Sequence, residues 1–203
     1  MRRLLVLVLA ACDQPTPVTP VLSMLHGGEL VAASDRTSAG VVERVGGADP
    51  ECAADAYGGI EVAADVAPDP GIETVLASFS RGVVVLGADG HRIASTAGFG
   101  CTGSQDELAA VEIMRTALDA PVIAVAATQG GRRESSTWIA LVAVGATAHL
   151  ERLFVGEVER RDETGTHAGE LRFVPGGLLY RHPTDGVALW RYDTAAHRYV
   201  APK

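Results

Sequence analysis

Six histidines, three cysteines and 25 acidic residues carry most of the potential chemistry in this chain of 203 residues. Their spacing excludes more than it supports. No Gly-x-Ser-x-Gly elbow presents a serine nucleophile, and neither a P-loop nor a His-Glu-x-x-His motif occurs. The histidines are scattered singly. His91, His149 and His197 fall in similar turns after β-rich runs. Drawn together near one axis they would form a metal site and favour an enzyme; held apart they are solvated turn residues. Trp138 and Trp190 sit at nearly matching places in two such runs and read as packing residues, with a sugar or protein contact as the alternative. Two arginine clusters, Arg132-Arg133-Glu134 in "GGRRESS" and Arg160-Arg161 in "VERRDE", read as solvated hairpin ends. Loops on one rim of a repeat fold are also where a partner binds.

The elements that position these residues follow from an internal repeat. "GVVVLGADGHRIAS" (Gly82 to Ser95), "TWIALVAVGATAHL" (Thr137 to Leu150) and "GVALWRYDTAAHRY" (Gly186 to Tyr199) overlay in pattern at a spacing of about fifty residues. Apolar runs precede them at Thr74 to Phe79, Val122 to Ala127 and Leu178 to Arg181. Asp89-Gly90 and Asp185-Gly186 are hairpin signals, since glycine tolerates the positive φ of tight turns. A mainly β fold of propeller-like repeats is therefore expected, partial or four-bladed, with the stretch "GELVAASDRTSAGVVERV" supplying a hairpin of the first blade. One segment departs from the pattern. Ser104 and Glu107 have capping-box spacing, and Leu108, Val111, Met114 and Leu118 recur at helical period, which favours a short helix within residues 104–119, whereas overlay on the repeat puts Val111 to Met114 at a strand position.

The start of the chain has its own logic. Arg2 and Arg3 precede a short apolar run, Leu4 to Ala11, which is too brief to span a bilayer but of the right length for a secretory leader. Its ending, Leu9-Ala10-Ala11-Cys12, resembles the lipobox of bacterial lipoproteins. That resemblance implies cleavage before Cys12, acylation of Cys12, and a membrane partner through that lipid. Residues 1–11 would then be a signal peptide, 12–20 a Pro-rich tether and 21–203 a single β-repeat domain. The location implied is the bacterial cell envelope. Export would place Cys52 and Cys101 in an oxidising compartment, where two remaining cysteines pair as a disulfide; neither has a metal-ligand neighbour at the usual spacing.

A second resemblance covers about 35 residues. "ADVAPDPGIETVLAS" (Ala64 to Ser78) and the strand pair after it are similar to the FG-GAP or integrin-α-like propeller repeat. The resemblance implies a calcium loop in which Asp65, Asp69 and Glu73 supply carboxylates. Ala67 replaces the middle acid and Pro70 the glycine, so the ligand count falls short of the six to eight oxygens calcium takes. The competing reading is a set of local Asx turns. No other cofactor is implied.

Composition sets the outer bounds. A hydrophobic fraction of 47% supports a folded core, and an aromatic share of only 5% makes that core small and β-branched. The formal charge of −8 and a sequence pI near 5.2, with no basic stripe, exclude a nucleic-acid partner, which needs clustered cations. The leading expectation is a non-enzymatic envelope module that binds a protein or glycan through its loops. The alternative is an envelope hydrolase or metal-dependent enzyme with a site formed across the repeats.

Overall fold

A computed structural model describes residues 19–101, 106–131, 133–146 and 149–202. In chain order the elements are β1 (Leu25–His26), β2 (Glu29–Ser34), β3 (Thr37–Ser38), α1 (Ala39–Val45), β4 (Gly59–Ala64), β5 (Glu73–Ser78), β6 (Gly82–Leu86), β7 (Arg92–Ser95) and β8 (Glu107–Arg115). They continue with β9 (Val122–Gly130), β10 (Ser135–Val144), β11 (Leu150–Asp162), β12 (Gly165–Ala168), β13 (Glu170–Val174), β14 (Gly177–His182), β15 (Gly186–Asp193) and β16 (Arg198–Val200). The protein is mainly β, as its repeated apolar runs and glycine turns imply.

The strands form three sheets. A curled six-stranded sheet, ordered β12-β11-β10-β9-β8-β2, lies between two five-stranded sheets, β3-β4-β5-β6-β7 and β1-β13-β14-β15-β16. Alternation along one strand shows how the layers stack. Ile123, Val125 and Ala127 of β9 enter a core shared with β4, β5 and β6, whereas Val122, Ala124 and Ala126 enter a core shared with β13 and β14. Successive strand residues face opposite sides, so a strand buried on both faces is apolar throughout. A third, smaller cluster joins Val41 and Val45 of α1 to Leu76 and Val84 on the outer side of the β3-to-β7 sheet. These sheets do not display a radial arrangement of blades: the hairpin units merge through long strands, and β10 pairs with β11 from Ser135 to Val144.

Two local expectations are corrected. The segment read as a helix within 104–119 contains strand β8, with Ser104 outside the described residues. Both faces of β8 are buried: Val111 and Ile113 enter one core, and Ala110 and Met114 the other. A register shift between Leu108 and Ala110 also breaks the two-residue period. Two-sided burial plus a bulge thus imitates a helical stripe. The expected hairpin in "GELVAASDRTSAGVVERV" is instead β2, which pairs with β8, followed by β3 and α1. Val41, Val42 and Val45 share the buried side of α1, and Gly46 ends it by donating its N–H to Glu43.

Cys52 and Cys101 stand at disulfide distance, with their Cα atoms 5.4 Å apart and 49 residues of separation. A loop of that length corresponds to about 4 kcal/mol in the chain-entropy view. The leader, Cys12 and the tether up to residue 18 lie outside the described residues.

Candidate functional site

Strands β9, β10 and β11 end together at one rim of the central sheet, and the chemistry gathers there. The register sets Ser136 opposite Gln129 on β9 and Arg160 on β11. A β-bulge at Val158 interrupts the β10–β11 ladder, so that Trp138 opposes Glu157 while Thr137 opposes Glu159. Glu157 and Arg160, three residues apart, thereby oppose Trp138 and Ser136, which are two apart and share a face. Strict alternation would separate that acid from that base, and bulges re-aim side chains in this way.

Glu157 is the centre of the cluster, with only 1% of its side chain exposed. Arg160 grips it twice, Nε to Oε1 at 2.9 Å and a terminal nitrogen to Oε2 at 2.8 Å. The Ser136 hydroxyl donates to Oε1. His182 of β14 brings Nε2 to 3.3 Å from Oε2. On its other side, Nδ1 of His182 accepts the backbone N–H groups of Thr184 and Asp185 and lies 3.3 Å from the Asp185 carboxylate. Tyr180 donates its hydroxyl to the Glu157 carbonyl at 2.7 Å. Burial pushes the Glu157 carboxyl upward, but the hydrogen bonds from Arg160 and Ser136, with the charges of Arg160 and His182, outweigh it and hold the group below the usual glutamate range. Burial, reinforced by the Glu157 and Asp185 charges, raises the Tyr180 phenol far above the ordinary value.

Above this cluster opens a cleft of about 520 Å³, bordered by Gln129, Glu134, Ser136, Trp138, Arg160 and Arg161. Arg160 and Arg161 of one cluster read from the sequence as a hairpin end thus share the cleft with Glu134 of the other; Arg132 lies outside the described residues. Arg161 is exposed and makes no ion pair among the described residues. The cleft presents donors and acceptors beside one half-buried indole. An ionised glutamate, fully occupied by donors, is neither a proton donor nor a free base at neutral pH. Ser136 directs its hydroxyl at a carboxylate rather than at a histidine, so among the described residues no nucleophile–base–orienter chain of a serine hydrolase is assembled around it.

The other candidates lie elsewhere. Asp65 is half-buried, Asp69 is exposed, and the buried Glu73 accepts the N–H groups of Val66 and Ala67 at 2.8 and 3.2 Å. Glu73 thus shapes its own loop. His149 and His197 flank Glu151, at 3.8 and 3.4 Å, while His91 sits in the β6–β7 turn of a different sheet. Among the described residues no group of three His, Cys, Asp or Glu is placed to hold a metal ion. The three-histidine convergence is therefore not formed. Trp190 packs against Phe154 and Tyr180, with ring centroids 5.0 and 6.1 Å away, whereas Trp138 faces the cleft. The run Gly98 to Gly103 has Gly-x-Gly-x-x-Gly spacing, yet strand β8 rather than a helix follows it, so the setting of a dinucleotide fingerprint is missing.

Glu157, Ser136 and His182 were not singled out by sequence. Glu157 stands in "VGEVERRD", where a charged run reads as solvated, and nothing local reveals the bulge that buries it. Comparison with protein families, curated proteins and solved structures returned no match.

Proposed function

We propose that this protein is a non-enzymatic binding module of the bacterial cell envelope, tethered by lipid on Cys12, whose cleft above Glu157 takes a glycan. One observation carries the reading: the half-buried Trp138 borders a cleft whose other walls are the hydrogen-bonding side chains of Gln129, Ser136 and Arg160. A sugar offers an apolar C–H face to an indole and hydroxyl groups to such neighbours, and a concave site favours it over a flat protein epitope. The envelope location rests on the lipobox-like ending of the leader.

Two experiments test the two parts. Full-length protein is titrated with soluble disaccharide fragments of cell-wall glycan. Trp138→Ala and Ser136→Ala are expected to weaken binding at least tenfold, with Trp138→Phe retaining most of it. Absence of saturable binding by the unmodified protein overturns the glycan reading. Metabolic labelling with a fatty acid tests the anchor, and undiminished label in Cys12→Ser overturns that part alone.

A further inference from the structure

Trp138 has a second side. Beyond it, on the same face of the central sheet, lies an apolar cavity of about 190 Å³. Its floor is Val125 of β9, Ala140 and Val142 of β10, and Val155 of β11. Val155 is 40% exposed, one of few large apolar side chains left open among the described residues.

The opposite wall is the segment from Thr96 to Phe99, and it is fastened at each step. Thr96 donates its N–H to Val83 at 2.9 Å, and Phe99 donates to Phe79 at 3.0 Å. Gln129 donates to the Gly100 carbonyl at 2.8 Å, and Cys101 is tied to Cys52. Gly82 and Gly98 let backbones touch: a Cβ on either would lie 2.4 or 2.3 Å from the oxygen of Ala97 or Ser80. A wall held this firmly does not collapse onto the floor, so the cavity is a persistent feature of the fold.

Its polar lining is sparse and mostly committed. Gln129 is engaged with Gly100. Arg152 is not. A second bulge, at Leu153, makes Arg152 oppose Val142 while Val155 opposes Ala140, so Arg152 and Val155 share the cavity face. Arg152 is exposed and makes no ion pair or hydrogen bond among the described residues; Arg161, Arg191 and Arg198 are alike in that, but Arg152 is the arginine that lines the cavity. A cation without a counter-charge beside an apolar recess is the complement of one ligand class.

We propose that this cavity binds a small carboxylate with an apolar body, such as a medium-length acyl chain, with the body between Phe99 and the sheet and the carboxylate on Arg152. A guanidinium meets a carboxylate with two parallel hydrogen bonds. The two recesses share Gln129 and Trp138 on their borders, but this inference uses none of the Glu157 cluster and is tested separately from the glycan reading.

The test uses the full chain carrying Cys12→Ser, prepared without detergent, in titration calorimetry with decanoate and with decanol. Saturable binding of decanoate, at least tenfold tighter than decanol, is the expected result. Arg152→Gln, a surface change that leaves the core intact, should remove that preference. Ala140→Val, which narrows the floor, should weaken both ligands several-fold, and Ser136→Ala should change neither. No saturable binding of decanoate overturns the proposal. So does equal affinity for the two ligands, or a decanoate preference that survives Arg152→Gln.

Discussion

Two buried glutamates stand on the central sheet, Glu112 on β8 and Glu157 on β11, each about 1% exposed. Their surroundings differ completely. Glu112 accepts the backbone N–H groups of Val21 and Leu22 at 2.7 and 2.9 Å, and thereby pins the entering chain so that Leu22 and Leu25 join the core. Glu157 is held by an arginine, a serine and a histidine at the edge of an open cleft. Asp55, Glu73 and Asp106 are also buried and accept backbone N–H groups, from Asp49 and Ser80, from Val66 and Ala67, and from Gly130, with Asp55 taking the hydroxyls of Ser78 and Ser80 as well. Burial of an acid therefore does not identify a site in this protein. The partners do. An acid that accepts backbone N–H groups organises a loop, and one held by an arginine, a serine and a histidine beside a cleft organises a surface.

This contrast can be broken most forcefully at Glu112. Replacing it by alanine leaves two backbone donors unsatisfied and loosens the segment they hold, at an expected cost of about 2–4 kcal/mol. Chemical denaturation measures the loss, and hydrogen exchange should accelerate at the amide of Leu22. A stability change below half of that range would show that the segment is held by Leu22 and Leu25 alone.

Glu157→Ala should cost less, about 1–3 kcal/mol, because Arg160 is 43% exposed and regains water when freed. Its larger effect should fall on the cleft: glycan affinity drops while the amide of Leu22 stays protected. Equal loosening at both places would erase the distinction between the two acids.

Acid sharpens the comparison further. The folded Glu157 carboxyl lies below its ordinary value, so its contribution is present above the unfolded value and is lost as pH falls through the folded one. Stability of the unmodified protein should therefore decline more steeply below about pH 4.5 than that of Glu157→Gln, where that group no longer titrates. Parallel acid curves would contradict the assignment. At the alkaline end, burial pushes the Tyr199 phenol up to about 12. A raised acid favours the neutral form in the fold, so its contribution is full below about pH 10 and is lost as pH rises towards 12. Absorbance of phenolate should lag behind that of free tyrosine until the protein unfolds.

The smallest expected effect is at Arg161. Exposed and without an ion pair among the described residues, it should tolerate alanine within about 0.5 kcal/mol of stability. Glycan binding should nevertheless weaken measurably. A change in stability without a change in binding would remove Arg161 from the site.

Much of this architecture was legible before any coordinates. The apolar runs at Thr74 to Phe79 and Val122 to Ala127 fall on β5 and β9, and "LLYR" falls on β14. Of the two tryptophans expected to pack, Trp190 packs against Phe154 while Trp138 borders the cleft, and Cys52 and Cys101 stand at disulfide distance. The failures share one cause. Within 104–119 a strand with both faces buried carries no alternation, and a bulge supplied the wrong period. At Glu157 another bulge brought residues of opposite parity to one face. A bulge is one extra residue in a ladder, and only the partner strand reveals that it is extra.

The sequence by itself determined a mainly β chain with small, branched core residues, an acidic surface, a cysteine pair and hairpins at glycine turns. These are local matters, decided by side-chain shape, backbone freedom and composition. Tertiary structure alone decided which acids organise loops and which one sits under a cleft, that Glu134 and the pair Arg160-Arg161 border that cleft together, and which tryptophan faces an opening. Those outcomes depend on which strands become neighbours and in what register. Register is fixed by contacts between residues far apart in the chain, and such contacts leave no local signature.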